Sequence, residues 1–216
     1  MAKKTEQIDK WANVFGKEYT DRNLYNPREL DEFYKKTWGV TRTELNEEFL
    51  SFLDKDKTKI LEVGSNVGNQ LLSLQLMGFK NLYGIEISKY AVEKSKERTK
   101  DINIIYGSAF DLPFKDEYFD LVFTAGVLIH ISPNDINYIL DEIYRCSKKY
   151  IFGFEYYADK YTEIEYRGNK NMLWKANFCQ MYLDRFKYLK LVKEKKLKYV
   201  DNDNVDSVFL IEKYEE

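Results

Sequence analysis

The sequence predicts an α/β fold: a doubly wound, mostly parallel sheet with helices on both faces, an antiparallel last strand, and a helical cap ahead of it. Three observations carry this expectation. From about Asp56 onward, short apolar runs alternate with helix-period segments, the pattern of a parallel sheet built with crossover helices. The first apolar run ends in a glycine turn that opens a helix. The length of 216 residues suits one domain. We therefore expect a single domain over 1–216, with residues 1–54 as a helical cap, 55–216 as the core, and a lid insertion near 158–171.

Each element has its own signal. Residues 1–54 read as helical, with an apolar stripe at Leu45, Phe49, Leu50 and Leu53. Lys59–Val63 is a buried strand that stops at Gly64. Residues 69–78 carry Leu71, Leu72, Leu74 and Leu76 and stop at Gly78. A strand near 82–87, a helix near 88–99 opened by Ser88, and a strand near 102–106 come next. Phe119–Thr124 is another strand, and Pro133 with Asn134 and Asp135 starts a helix running to about Cys146. Tyr150–Tyr156 is a strand and Lys175–Phe186 a helix. Strands near 188–199 and 206–213 close the chain as an antiparallel hairpin.

Composition excludes several classes. With 10 Gly and 3 Pro the chain is neither collagenous nor low-complexity, and 18 Tyr, 14 Phe and 3 Trp belong to a packed interior. The 34 Lys and Arg against 36 Asp and Glu leave a net charge of −2, which lacks the basic footprint of a nucleic-acid binder. The run Lys193, Lys195, Lys196 and Lys198 reads as the solvated face of a strand. Cys146, Cys179 and the single histidine, His130, lack the spacing of a zinc site, so no metal is expected. No apolar run reaches a membrane span of about 18 residues. No membrane partner is expected, and the expected location is cytoplasmic.

The sharpest feature is Glu62-Val63-Gly64-Ser65-Asn66-Val67-Gly68-Asn69, between a predicted strand and a predicted helix. That is the context in which a glycine loop binds a nucleotide-like ligand. Gly64 lets the chain turn off the strand, and Gly68 lets the helix start lie close to the sheet. At the end of the second strand, Glu86 stands where a carboxylate accepts two ribose hydroxyls. A dinucleotide fingerprint is broken by Asn66 and Asn69 at its second and third glycine positions, and no Walker lysine comes after the loop. Glu62 would repel a pyrophosphate and suits a ligand carrying ammonium and sulfonium, such as S-adenosylmethionine.

On these residues, 58–125 resemble a class I S-adenosylmethionine-dependent methyltransferase with a Rossmann-like core. Glu62, Gly64 and Gly68 match its first motif and Glu86 its ribose acid. Gly107 to Phe114 match its adenine-side loop, and Phe119 to Phe123 its fourth strand. Many members have Asp where Ser108 stands. A narrower resemblance rests on Phe15 to Asn23, Gly64 to Asn69, Gly126 to Pro133, Phe154 to Tyr157, Glu165 to Gly168, and the acidic Asp201–Asp206 stretch. These are similar to the methylases associated with pseudaminic acid biosynthesis. The resemblance implies S-adenosylmethionine as cofactor and S-adenosylhomocysteine as product. It implies cofactor contacts from Tyr19, Arg22, Asn23, Glu62, Gly64, Ser65, Asn66, Gly68, Asn69, Glu86, Ile87, Ser108, Ala109, Phe110, Thr124, Ala125 and Gly126.

For the acceptor side, His130 is the one side chain whose ordinary pKa lies near 7, and it stands just past the fourth strand. Two readings stay open: a base or acceptor contact, or a support behind the cofactor methionine. Tyr156 and Tyr157 end the fifth strand. Tyr166 and Arg167 lie in the polar stretch 158–171, which reads as too irregular for a core element and as a lid. Arg167 suits a carboxylate or phosphate. Tyr19, Arg22 and Asn23 sit at the end of the first predicted helix. The expected partner is a small-molecule or sugar acceptor, with the protein a monomer or homodimer. The alternative is a noncatalytic S-adenosylmethionine-binding protein that acts through partners.

Overall fold

The computed structural model describes residues 4–214, in two compact units that divide after Pro113. The first unit begins with four helices: α1 (Glu6–Ala12), α2 (Val14–Arg22), α3 (Pro27–Trp38) and α4 (Arg42–Leu50). Capping boxes start two of them, Asn26 with Glu29 on α3 and Thr41 with Glu44 on α4. Asn13 breaks what reads as one helix into α1 and α2, because its amide turns back to Asp9. Tyr19, Arg22 and Asn23 therefore end the second helix, not the first.

The sheet of this unit contains β1 (Lys59–Val63), β2 (Asn81–Glu86) and β3 (Ile102–Tyr106), in the order β3-β2-β1 and all parallel. Crossovers are made by α5 (Asn69–Leu76) and α6 (Lys89–Arg98), the latter capped by Ser88 as expected. Leu45, Phe49 and Leu50 of the expected stripe are buried. On α5 only part of the expected stripe is core: Leu71 and Leu74 are buried but Leu76 is 74% exposed. The 3.6-residue period carries position 76 away from the face that 71 and 74 share.

The second unit holds β4 (Phe119–Ala125), a 3₁₀ turn at Leu128–His130, α7 (Ile136–Cys146) and β5 (Ser147–Tyr156). After them come β6 (Thr162–Tyr166), β7 (Asn169–Lys175), α8 (Phe178–Arg185), β8 (Leu189–Lys198) and β9 (Val205–Lys213). β4 and β5 are parallel, while β9 runs antiparallel to both β5 and β8. Gly153 lies directly opposite Phe209, and a Cβ there would run into the Phe209 ring. The strands take the order β3-β2-β1 in the first unit and β4-β5-β9-β8 in the second, with β9 as the antiparallel member of the latter. Lys196 and Lys198 are exposed on β8, at the end of that order, which is how proteins blunt a sheet edge.

The structure corrects three expectations. The helix expected from Pro133 starts at Ile136, because Ser132 and Asp135 close a turn first: Ser132 Oγ donates to Asp135 at 2.7 Å. The helix expected from Lys175 starts at Phe178, since Lys175 belongs to β7 and Asn177 is the cap. The stretch 158–171 is not irregular. It contributes β6 and the start of β7, an antiparallel hairpin turning on Arg167 and Gly168 at φ of 51° and 73°. Two adjacent left-handed residues give the turn that matches strand twist.

Candidate functional site

In the first unit the glycine loop is built by backbone geometry. Gly64 at φ 74° turns off β1, and the Gly64 and Ser65 amides both donate to the Ile85 carbonyl, at 2.8 and 3.1 Å. Gly68 at φ 82° opens α5, where a Cβ would lie 2.8 Å from Ile104 Cδ1. Gly84 leaves room for Ser65, whose Oγ would stand 2.6 Å from a Cβ at that position. The local sequence thus forms its turn because glycines occupy the positions that no larger residue fits.

Glu86 ends β2, as expected, and is buried. Its Oε2 accepts from the Asn66 amide at 2.8 Å and its Oε1 from the Ser88 amide at 2.7 Å, so it ties the glycine loop to the start of α6. Burial raises its pKa, and the amides of Ser88, Asn66 and Ile87 oppose that. A carboxylate offers about four lone-pair sites, so acceptor capacity remains for hydroxyls. Glu62 is 3% exposed, and its Oε2 has no hydrogen-bond partner within the protein. Burial raises it well above the usual carboxylate range, with Arg42 opposing and Glu86 adding to the shift.

Asn66 takes a left-handed φ of 47°, and its side chain accepts from Thr20 Oγ1 of α2 at 3.0 Å. The asparagine that breaks the dinucleotide pattern therefore joins the loop to the cap. Asn69 does likewise: its Nδ2 donates to the Asn23 carbonyl at 2.7 Å, and its Oδ1 accepts from Arg98 at 3.2 Å. Arg98 also reaches the Tyr25 carbonyl at 2.6 Å. Tyr19 packs edge-on against Trp11, and exposed Arg22 is 3.8 Å from Glu18. Ser108 Oγ accepts from the Phe110 amide at 3.2 Å, folding the loop that holds Ala109. Ile87 is half-buried between Glu86 and Ser88.

In the second unit, Thr124 and Ala125 end β4 and Gly126 turns at φ 70°. Glu155 of β5 anchors the adjoining 3₁₀ turn, the one that carries His130. Its oxygens accept from the Val127 amide at 3.2 Å and the Ile129 amide at 3.4 Å. Burial pushes Glu155 up to about 7, against the Thr124 hydroxyl and three backbone amides. His130 is buried, with Nδ1 2.6 Å from the Met172 carbonyl of β7. A carbonyl only accepts, so Nδ1 carries the proton and Nε2 a lone pair. Burial lowers this histidine to about 4.

Tyr166 comes within 5.4 Å of the His130 ring, so these two expected residues are brought together. Arg167 is exposed at the hairpin turn, its guanidinium 5.9 Å from the Tyr166 ring. Tyr156 stands with another group: its ring is 5.7 Å from that of Tyr199 and 5.3 Å from Lys175 Nζ. Tyr157 donates to Asp159 at 2.5 Å and lies under Lys196 Nζ at 3.3 Å. Sequence reasoning did not assign Thr20, Arg42 or Lys175, whose partners are distant in the chain, nor a role to Glu155. The placement of Glu155 beside the Tyr pair was its one visible signal.

Among the described residues no cluster of three or more His, Cys, Asp or Glu is disposed to hold a metal, and no helix is long and apolar enough to cross a membrane. Residues 61–150 match the family described as the methyltransferase domain. A glycine/sarcosine/dimethylglycine N-methyltransferase of Actinopolyspora halophila is 22% identical over 66% of this chain and 29% of its own length. A phosphoethanolamine N-methyltransferase of Plasmodium falciparum is 25% identical over 54% of this chain and 44% of its own. The chain thus spans less than half the length of these two relatives. Among solved structures, magnesium protoporphyrin IX methyltransferase from Synechocystis PCC 6803, with bound S-adenosylmethionine, superposes with a TM-score of 0.71. That likeness covers 99% of this chain and all of the other at 10% identity. The fold is the Rossmann-like fold of the class I S-adenosylmethionine-dependent methyltransferases.

Proposed function

We propose that this protein is an S-adenosylmethionine-dependent methyltransferase acting on a small molecule. The observation that carries the reading is Glu86, a buried carboxylate fixed between the glycine loop and the start of α6. A ribose acid needs that rigid placement beside a turn whose backbone a ligand can approach. When bound, the cofactor supplies the electrophilic methyl group, and the protein's part is to bind and orient. In this reading Glu86 receives the ribose hydroxyls and Glu62 faces the ammonium. Ser108, Ala109 and Phe110 flank the adenine, while Tyr19, Arg22 and Asn23 border the methionine end. Gly64, Ser65, Asn66, Gly68, Asn69 and Ile87 shape the loop, and Thr124, Ala125 and Gly126 contribute from the end of β4.

On the acceptor side, a histidine lowered to about 4 is a weak base at neutral pH, so His130 acts through its Nε2 lone pair as an orienting hydrogen-bond acceptor. Tyr166 and Arg167 come from the hairpin as a lid, and Tyr156 and Tyr157 from the end of β5. Exposed Arg167 favours an anionic acceptor, such as a nonulosonic acid of the pseudaminic type or a nucleotide sugar. The two N-methyltransferase relatives methylate amines by their names, which keeps nitrogen acceptors within the panel. The test is release of S-adenosylhomocysteine, tracked by mass spectrometry, when purified protein meets nonulosonic acids, nucleotide sugars and small amines. Tight cofactor binding with no turnover across that panel would favour the noncatalytic, partner-directed reading.

A further inference from the structure

A buried arginine lies in the first unit, outside the glycine loop and its ribose acid. Arg42 is the first residue of α4 and is 0% exposed. A cation at the first turn opposes the helix macrodipole, and burial adds a desolvation cost, so a compensating negative charge must act on it. That charge is Glu62 at the end of β1, whose electrostatic interaction with Arg42 is the chief influence opposing its own burial. Arg42 is held from the other helices. Its Nη1 is 3.4 Å from the Tyr34 hydroxyl of α3, its guanidinium is 5.7 Å from the Tyr34 ring, and Gln70 of α5 donates to the same hydroxyl at 3.2 Å. Next to Arg42 by one helical turn, Asn46 is fully buried, with neither amide atom hydrogen-bonded. Glu62 Oε2 is in the same condition. An acid placed there, with a charge partner but an unsatisfied oxygen, is set up to receive a donor from a ligand.

We propose that Arg42 is a cofactor-positioning residue: it is the buried positive charge that eases ionisation of Glu62 as the ammonium group of S-adenosylmethionine arrives. The cap helices α3 and α4 thereby set cofactor affinity. The inference rests on the glycine loop being an S-adenosylmethionine site. The ionisable groups concerned are Arg42 on α4, Glu86 on β2, and Tyr34 on α3 through its contact with Arg42. Without Arg42, burial and Glu86 both drive Glu62 toward its neutral form. Ionising Glu62 for the ammonium would then cost more than in the intact protein, and binding would strengthen more steeply as pH rises.

The test is titration calorimetry from pH 6 to 9 with two probes. S-adenosylhomocysteine carries the ammonium, whereas 5′-methylthioadenosine lacks the amino-acid portion. At pH 7, Arg42→Met should weaken S-adenosylhomocysteine about tenfold to a hundredfold, and 5′-methylthioadenosine by less than about twofold. The S-adenosylhomocysteine loss should shrink toward pH 9, by up to about tenfold per pH unit. Arg42→Lys should restore the wild-type profile. The double variant Arg42→Met with Glu62→Gln removes both charges and guards against misfolding of the single one. It should bind S-adenosylhomocysteine as Glu62→Gln does. Equal weakening of both probes in Arg42→Met, or a double variant more than about fivefold weaker than Glu62→Gln, would overturn the proposal. If Glu62→Gln binds normally, the ammonium reading of Glu62 falls and Arg42 with it. If Glu62→Gln is weak and Arg42→Met is not, Arg42 alone falls.

Discussion

Replacing Glu155 by Gln should change how stability depends on pH. Glu155 is fully enclosed at the end of β5, and its carboxyl is raised from the ordinary 4.5 to about 7 by burial. The sign comes from linkage. The folded protein holds this proton between pH 4.5 and 7 while the unfolded chain releases it, so stability is complete below 4.5 and is lost as pH rises through 7. Each pH unit of that interval is worth about 1.4 kcal/mol, so the full interval is about 3 kcal/mol. The glutamine side chain would not titrate. It keeps one accepting oxygen for the amides of Val127 and Ile129 but presents NH₂ to the other, at a cost of about 1–3 kcal/mol. The variant should therefore melt below the wild type at pH 5, and the gap should close or reverse by pH 8. Thermal melts by circular dichroism across pH 5–8.5 give the difference curve, from which Glu62 and Glu86 cancel because both chains contain them. Parallel curves would refute the assignment of this pH dependence to Glu155.

Three further outcomes are expected. Glu86→Ala should weaken S-adenosylhomocysteine binding by about 2–3 kcal/mol in calorimetry, the cost of losing charged hydrogen bonds; an unchanged affinity removes the ribose role. His130 has the opposite sign to Glu155: lowered to about 4, it contributes stability that is present above 6.5 and lost as pH falls toward 4. His130→Asn, which keeps a donor for the Met172 carbonyl, should flatten the melting curve in that window, and an unaltered slope would contradict it. Gly153→Ala should cost about 1–3 kcal/mol through the clash with Phe209, and Phe209→Leu should recover most of it in urea unfolding.

Much of the candidate site is legible in the chain because it is local. Gly64, Asn66 and Gly68 occupy left-handed positions within five residues of one another, and Glu86 ends a strand that its own apolar pattern announces. Residue type and spacing suffice for such features, since steric limits on φ act on single residues. The strand–helix alternation is legible for the same reason, being a periodicity along one segment. The hairpin over 162–175 was hidden because its turn uses Arg167 at a left-handed φ, where Asn or Gly would be the readable signal.

Other properties exist only in the folded molecule. In the sequence Asn66 only breaks a dinucleotide fingerprint, whereas in the fold its side-chain oxygen accepts from Thr20, 46 residues earlier in the chain. His130 has an ordinary pKa near 7 by residue type, yet enclosure against β7 lowers it to about 4. Glu155, unremarked by pattern, is raised to about 7 by the same cause with the opposite sign. Arg42, which no local pattern singles out, is fully enclosed and acts electrostatically on the buried Glu62. Residue identity determined which groups ionise and where the backbone turns. Which of them stay charged was decided by tertiary burial, because desolvation depends on neighbours that the chain brings from far away.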